Sequence, residues 1–241
     1  MRIAVLLLVL LSGCASNPNA IREAWLPQDQ HWNQAVIEGA KLPYRDGRQP
    51  SYIPPATVLN IVTAREKMEK TSGVRADLAI VDTEAPNAFA FYHEGRPVIA
   101  LSVSYLKQLG EDQDAIAATI GHELAHLHLG HRGDARAQRE QAVTAGQAAG
   151  ILMNAAVPFS GTLTSLAATA YARSFTRDEE RDADKQGLKW AVAAGYDACG
   201  HARVVGAFPP NVPLLSTHPG YEERAGLASE YALKATGKPC L

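Results

Sequence analysis

The sequence has no concentration of charge of one sign and no long apolar run. Its 241 residues include 23 Lys and Arg against 25 Asp and Glu, a net charge of −2, and the basic residues form no block. Nucleic-acid binding needs a basic patch, so we expect no nucleic-acid partner. The apolar run at residues 3–11 is well short of the roughly 20 residues with which a helix spans a bilayer. Internal repeats and low-complexity linkers are also absent, which favours one folded domain.

Cysteine is scarce, and the first of the three has a specific context. Arg2, the apolar run and the ending LSGC (11–14) form a secretory signal with a bacterial lipobox. This order predicts a signal peptide over residues 1–13 and acylation of Cys14, with an ordinary signal peptide as the alternative. Several acyl chains, palmitate among them, would anchor the protein stably. Ala15 after the cysteine favours the outer membrane of a Gram-negative host, with the protein on the periplasmic face.

Cys199 and Cys240 remain in a chain that carries an export signal. Oxidising compartments permit disulfides, and exposed free thiols are poorly tolerated there. We therefore expect the two residues to pair, which would add about 4 kcal/mol of stability. Two free thiols are the alternative.

The hydrophobic pattern predicts an α+β fold that is mostly helical. Residues 14–34 are interpreted as a tether and lead-in, residues 35–241 as the domain, and 42–55 as irregular. The Ala- and Gly-rich residues 142–172 are interpreted as two packed helices, with a flap over a cleft as the alternative. The other predicted elements are helices over 55–72, 112–129, 178–194 and 222–236, a strand over 75–82, and a hairpin made by NAFAFY and PVIALS.

The stretch GHELAHLHLGH (121–131) indicates the chemistry. His122, Glu123 and His126 form an H-E-x-x-H pattern on a predicted helix, where residues four apart share a face. Both imidazoles can therefore point at one metal ion. Zinc suits imidazole ligands and lowers the pKa of its bound water, whose proton Glu123 could take. The pattern predicts a zinc hydrolase with one Zn²⁺ per chain.

A third protein ligand is expected on a second helix. Glu180 and Asp184, within RDEERDADKQG (177–187), lie four apart and share a face. This spacing fits a metal ligand, Glu180, and a carboxylate, Asp184, that holds the other ring nitrogen of a ligand histidine. A solvated charged helix fits the spacing as well.

These residues resemble the HtpX and CAAX-prenyl-protease type zinc metallopeptidases, which are gluzincins, and among them the periplasmic BepA- and LoiP-like branch. The resemblance covers about residues 56–235, and a small departure is Asp182, where the family often has Glu or Gln. It rests on five motifs in the family's order: PNAFAF (86–91), IGHELAHLHLGH (120–131), GHR (130–132), EERDADKQG (179–187) and THPGYEER (217–224).

The resemblance implies a zincin-like metalloprotease domain with a small sheet beside the active-site helix. It assigns Glu123 as general base and acid, and Asp184 as the carboxylate behind the ligands. The zinc ligands that it implies are His122, His126 and Glu180.

Two further expectations concern the THPGYEER and NAFA segments. His218 could occupy the open position at zinc in a resting enzyme or, with Arg224, stabilise the oxyanion of the attacked carbonyl; a plain loop histidine is the alternative. The residues expected to bind substrate, if they form an exposed edge strand rather than a buried one, are Asn87, Ala88, Phe89 and Ala90. The histidines interpreted as structural, surface or core residues are His31, His93, His128, His131 and His201.

The sequence therefore predicts a lipid-anchored zinc endopeptidase. The resemblance implies that its substrates are misfolded or misassembled envelope proteins, and that its partners include the machinery that assembles them. An envelope chaperone or assembly factor with little proteolysis is a second hypothesis. A metal-binding protein without hydrolysis and a zinc hydrolase of cell-wall peptide crosslinks are further alternatives.

Overall fold

A mixed sheet of four strands lies beside the helix that carries the histidine motif. The structure is a computed structural model, and every structural statement below concerns the residues that it describes. These are residues 23–29, 32, 43–46, 49–81, 86–93, 95–131, 175–207 and 221–240.

Strands and helices alternate irregularly along the described chain. The strands are β1 (Glu23–Leu26), β2 (Pro43–Asp46), β3 (Gln49–Tyr52), β4 (Asp77–Val81), β5 (Ala88–His93) and β6 (Arg96–Ser102). The helices are α1 (Pro55–Ser72), α2 (Val103–Leu109), α3 (Gln113–Leu129), α4 (Arg177–Ala193), α5 (Cys199–Ala207) and α6 (Tyr221–Thr236). This composition confirms the predicted α+β, mostly helical fold with a small sheet.

The main sheet has the strand order β1-β4-β6-β5. Only the β4–β6 pair is parallel; β1 with β4 and β5 with β6 are antiparallel. Strand β5 therefore stands at one edge of this sheet as the described residues form it. Strands β2 and β3 make a separate antiparallel pair.

One face of the sheet and the helices share a single apolar core. Leu78 and Ile99 of the sheet belong to the same buried cluster as Ile61 of α1 and Ile120 of α3. The stripe predicted for α3 is buried as expected, because Ile116, Ile120, Leu124 and Leu127 all belong to that core. The sheet thus fixes α3 from one side and leaves its other side for α4.

The predicted helices at 55–72, 112–129, 178–194 and 222–236 are confirmed within one residue at each end, and so is the β5–β6 hairpin. Three interpretations differ from the structure. Strand β1 lies in the expected tether and pairs with β4, so the folded part begins before residue 35. The β2–β3 pair occupies the segment 42–55 that was expected to be irregular. Helices α2 and α5 were not predicted.

No helix in the described ranges is both long and apolar enough to cross a membrane. The predicted signal peptide, Cys14, and the two helices expected within 142–172 lie outside the described residues.

Candidate metal centre

Three buried side chains converge where α3 meets α4. Nε2 of His122 lies 3.0 Å from Nε2 of His126 and 3.4 Å from Oε2 of Glu180. Nε2 of His126 lies 3.5 Å from Oε1 of the same glutamate. The ligand atoms of the three residues all lie within 4.8 Å of one another. These are the three residues that the sequence predicted as a ligand set.

The donor atoms and their spacing fit a zinc ion. Two ligand atoms about 2.0–2.1 Å from a tetrahedral zinc are about 3.3 Å apart. The nearest approaches among the three residues, 3.0–3.5 Å, lie close to that value, with each histidine facing a different oxygen of Glu180. Two imidazoles and one carboxylate are also the donor set of a common catalytic zinc site, which keeps one position open. His122, His126 and Glu180 could therefore hold this metal.

Helix α3 holds the two histidines in place because it has a capped N-terminus and is buried along most of its length. Asp112 caps it by accepting a hydrogen bond of 3.0 Å from the backbone N–H of Ala115. Every residue from Ala115 to Leu127 is buried. Since His122 and His126 are one turn apart, both ring edges face α4.

Helix α4 delivers Glu180 from its first turn. Thr176 caps the helix by accepting from the backbone N–H of Glu179, whose side chain accepts from the backbone N–H of Thr176, a capping box. Glu180 follows directly and is fully buried. The positive end of the helix dipole favours an ionised carboxylate there.

Two glycines allow α3 and α4 to approach this closely. A Cβ atom on Gly187 would lie 2.7 Å from the backbone nitrogen of His122, and one on Gly121 would lie 3.0 Å from the carbonyl oxygen of Gly187. Gly187 lies one and two helical turns after Asp184 and Glu180, on the same face. The contact of bare backbone therefore brings both carboxylates to the histidines.

Asp184 lies behind His122 and is held from several sides. Its Oδ1 lies 2.8 Å from Nδ1 of His122. Arg224 of α6 donates from Nε to Oδ2 and from Nη2 to Oδ1, both at 2.8 Å. Burial raises the pKa of Asp184, but the charges of Arg224 and His201 and the bonds from the histidines lower it well below its usual range. The carboxylate is therefore ionised and fixed.

His122 is surrounded by negative charge, whereas Asp184 is surrounded by positive charge. Burial lowers its pKa, whereas hydrogen bonds to Asp184 and Glu180, together with their charges, raise the pKa to about 10. Two carboxylates thus surround the imidazole pair, and the centre attracts a cation.

His201 of α5 is a residue of the site that the sequence did not reveal. It is buried, and its Nε2 lies 3.3 Å from Oδ1 of Asp184. Burial lowers the pKa of His201, Asp184 raises it, and the charges of Arg224 and His122 lower it further, so that its pKa is below the ordinary value. No spacing relates His201 to the motif, because the contact depends on how α5 packs against α3.

His126 is held by two residues at the ends of neighbouring helices. Its Nδ1 lies 2.9 Å from Nδ1 of His131, and its ring stacks on Phe175 with centroids 3.8 Å apart. The interpretation of His131 as a purely structural residue therefore needs correction, since it contacts a candidate ligand. His128 instead packs edge-on against Trp190, away from the centre.

Glu123 is buried on α3 next to the first histidine, at 2% exposure. Its charge raises the pKa of Tyr105 in addition to the larger effect of burial, so the phenol of α2 lies close to it. Tyr105 Oη lies 2.9 Å from Oγ1 of Thr119, one turn before Glu123. The glutamate therefore sits in a dry environment with a neutral phenol nearby.

The expected substrate segment adjoins α3. Ala88, Phe89 and Ala90 lie on the edge strand β5, and Asn87 immediately precedes it. Ser102 fixes Asn87, because its backbone N–H donates to the Asn87 carbonyl and its Oγ accepts from the Asn87 N–H, both at 2.9 Å. The side chains are largely buried.

The remaining expected residues are His218, Arg224 and the two cysteines of the predicted disulfide. His218 lies outside the described residues. Arg224 was expected beside the reacting carbonyl, whereas its hydrogen bonds go to Asp184, so its contacts are those of a positioning residue. Cys199 and Cys240 form a disulfide that links α5 to the segment after α6.

Comparisons with known proteins agree with this geometry. The model of "Peptidase family M48" matches residues 59–232, which include every residue of the candidate centre. A Vibrio cholerae protein named "Putative beta-barrel assembly-enhancing protease" is 31% identical over 155 residues. That alignment covers 57% of this chain and 31% of the relative, so the chain matches about a third of that protein's length.

Proposed function

The chain belongs to peptidase family M48, and from that premise we propose that it is a zinc-dependent endopeptidase that hydrolyses misfolded or misassembled proteins of the cell envelope. Membership in the family makes it a metallopeptidase. The observation that carries the finer proposal is the convergence of three buried ligand atoms within 4.8 Å. Their nearest approaches, 3.0–3.5 Å, are close to the ligand separations of a tetrahedral zinc site.

His122, His126 and Glu180 would hold one zinc ion per chain. When bound, zinc polarises a carbonyl and makes a water molecule acidic near neutral pH. The protein supplies the rigid donor set, which is buried and lies between two helices. Asp184 fixes the tautomer of His122 by holding its Nδ1 at 2.8 Å, so that Nε2 keeps its lone pair for the metal.

Glu123 is the proposed general base and acid. It follows the first ligand on α3 and is buried at 2% exposure. A carboxylate in such surroundings can take a proton from water and return it to the amine that leaves. The proton transfer is assigned to Glu123 alone, and a role of His218 near the zinc or at the oxyanion stays a separate proposal.

The proposed substrate-binding segment is Asn87 with the first residues of β5. The strand stands at the sheet edge formed by the described residues and packs beside α3. An extended peptide could add to this edge through main-chain hydrogen bonds. Such pairing depends little on side chains, which suits an enzyme that takes unfolded chains of varied sequence.

The proposed location is the periplasmic face of the outer membrane, with an acylated Cys14 as the anchor. Support comes from the lipobox and from the relative whose name places it with β-barrel assembly. The same name favours a second candidate function, an envelope chaperone or assembly factor with little proteolysis. Partners in either case are unfolded envelope polypeptides and their assembly machinery.

Removal and return of zinc tests the proposal. The purified protein with one zinc per chain is incubated with an unfolded outer-membrane β-barrel protein, and the fragments are identified by mass spectrometry. We expect internal cleavage that stops after chelation and returns with one equivalent of zinc. A protein that binds zinc and prevents aggregation of the substrate without cutting it would support the chaperone function instead.

A further inference from the structure

The end of α3 turns back onto His126. Gly130 has a left-handed conformation, with φ 68°, and its backbone N–H donates to the carbonyl of Leu127. The N–H of His131 donates to the carbonyl of His126 at 3.0 Å. These two bonds define a Schellman motif. In this motif the residue after the glycine packs on the residue four positions before the glycine. The packing pair here is His131 and His126.

The contact in this motif is usually apolar, whereas here it joins two imidazoles. Nδ1 of His126 lies 2.9 Å from Nδ1 of His131. One nitrogen must donate and the other accept, since a neutral imidazole has one of each. Nε2 of His126 faces His122 and Glu180. If that nitrogen ligates zinc, the ring proton is on Nδ1, so His126 donates and His131 accepts.

A second contact fixes the plane of the same ring. Phe175 stacks on His126 with an angle of 14° between the rings. It directly precedes Thr176, the capping residue of α4, so the capping box holds it in place. His126 is therefore restrained on its face by an aromatic ring and at its edge by His131.

We infer that His131 is a positioning residue that sets the tautomer and orientation of His126 for zinc. The two ligand histidines are then held differently: Asp184, a carboxylate, serves His122, and a neutral imidazole serves His126. A neutral acceptor gives the same orientation without a further negative charge at a centre that already contains two buried carboxylates. The inference rests on the proposed function, because the direction of the hydrogen bond follows from zinc on Nε2.

Two substitutions of similar shape separate hydrogen bonding from packing. In His131→Asn, Oδ1 can stand near the position of Nδ1 and accept the bond, whereas His131→Leu fills similar space without an acceptor. Zinc affinity is measured by competition with a chromophoric chelator, and the visible spectrum is recorded after cobalt substitution. His128→Ala is the matched control, because it removes an exposed histidine from the same helix end.

We expect His131→Leu to weaken zinc binding by about 10- to 100-fold, the usual effect of losing an outer partner of a ligand histidine, and to change the cobalt spectrum. His131→Asn should keep most of the affinity and the wild-type spectrum, as should His128→Ala. Equal affinities of the Leu variant and the wild type would overturn the inference. So would equal losses in the Asn and Leu variants.

Zinc binding by the wild type distinguishes a failure of this inference from a failure of the proposed function. A wild-type protein that does not bind zinc contradicts the proposed function itself, whereas tight wild-type binding with an unaffected Leu variant contradicts only the role of His131. If the Leu variant does not fold, nitrogen-15 spectra of the zinc-loaded wild type give the answer. We expect a proton on Nδ1 of His126 and on Nε2 of His131; the reverse assignment for His131 would overturn the inference.

Discussion

Oδ1 of Asp184 lies 2.8 Å from Nδ1 of His122, and the same carboxylate receives two hydrogen bonds from Arg224. The candidate metal centre therefore depends on α6, which contributes none of its three proposed ligands. His201 of α5 adds a third contact to the carboxylate. The stability of the centre is thus coupled to the packing of the two C-terminal helices.

Removal of the Arg224 side chain should lower the free energy of unfolding and weaken zinc binding. Arg224→Ala would leave the buried carboxylate of Asp184 without its arginine partner, and removal of one partner of a buried ion pair costs about 3–5 kcal/mol. Urea denaturation of both proteins measures the change. Arg181→Ala is the control: that arginine pairs with Glu223 on the surface, so its loss should matter little. Equal effects of the two variants would contradict the coupling through Asp184.

A methyl group at Gly187 should disrupt the centre. Alanine favours helices over glycine, yet its Cβ would lie 2.7 Å from the backbone nitrogen of His122. Relief of this clash must separate α3 from α4, so we expect Gly187→Ala to lower stability by about 1–3 kcal/mol and to weaken zinc binding.

Gly226 provides the matched control for this substitution. It lies within α6, and a Cβ there would meet no atom within 4 Å. Gly226→Ala should therefore stabilise the protein by about 0.5–1 kcal/mol. If Gly187→Ala were equally stabilising, the close helix contact would not exist in solution.

The disulfide should stabilise the packing of α6, the helix whose Arg224 binds Asp184. Cys199 and Cys240 are 41 residues apart, and the bond between them encloses α6 with Arg224. Closing such a loop contributes about 4 kcal/mol on the chain-entropy model. We expect a reductant to lower the melting temperature of the wild type, and a double Cys→Ser variant to melt at that lower temperature with or without reductant. A wild type that does not respond to reductant would contradict this pairing.

The zinc-free protein should lose stability as the pH rises. Its His122 pKa is about 10, because its carboxylate partners outweigh burial, and the unfolded value is about 6.5. A raised pKa gives stability that is fully present below about pH 6.5 and is lost as the pH rises towards 10. Urea denaturation in the presence of a chelator, across this range, should show the decline, and His122→Gln should abolish it. The same decline in the variant would assign it to other groups.

The helices and strands that the sequence predicted are those marked by a pattern in neighbouring residues, such as a cap, a periodic apolar stripe or a terminal glycine. The helix with His122 and His126 has a capping aspartate, a buried stripe and a terminal glycine. Glu180 and Asp184 were recognised because one helical turn separates them, and the resemblance placed them with the histidines. Strand β1 was missed, because its few residues lie in a segment without an alternating pattern and are recruited by pairing with β4.

The contacts that the sequence could not predict are those between distant segments. His201 and Arg224 reach Asp184 only after α5 and α6 pack, and no spacing in the chain records that. His131 is a different case. Gly130 and the position of His126 four residues earlier are the signature of a Schellman motif, so its contact could have been found from the helix end.

The most direct test of the proposed peptidase compares the purified wild type with Glu123→Gln. Both proteins are first shown to hold one zinc, and cleavage of an unfolded envelope protein is then followed over time. We predict that the wild type cuts the substrate internally and that the variant, with its zinc retained, does not. Equal cleavage by both would contradict the role of Glu123, and no cleavage by either zinc-loaded protein would contradict the assignment as an endopeptidase.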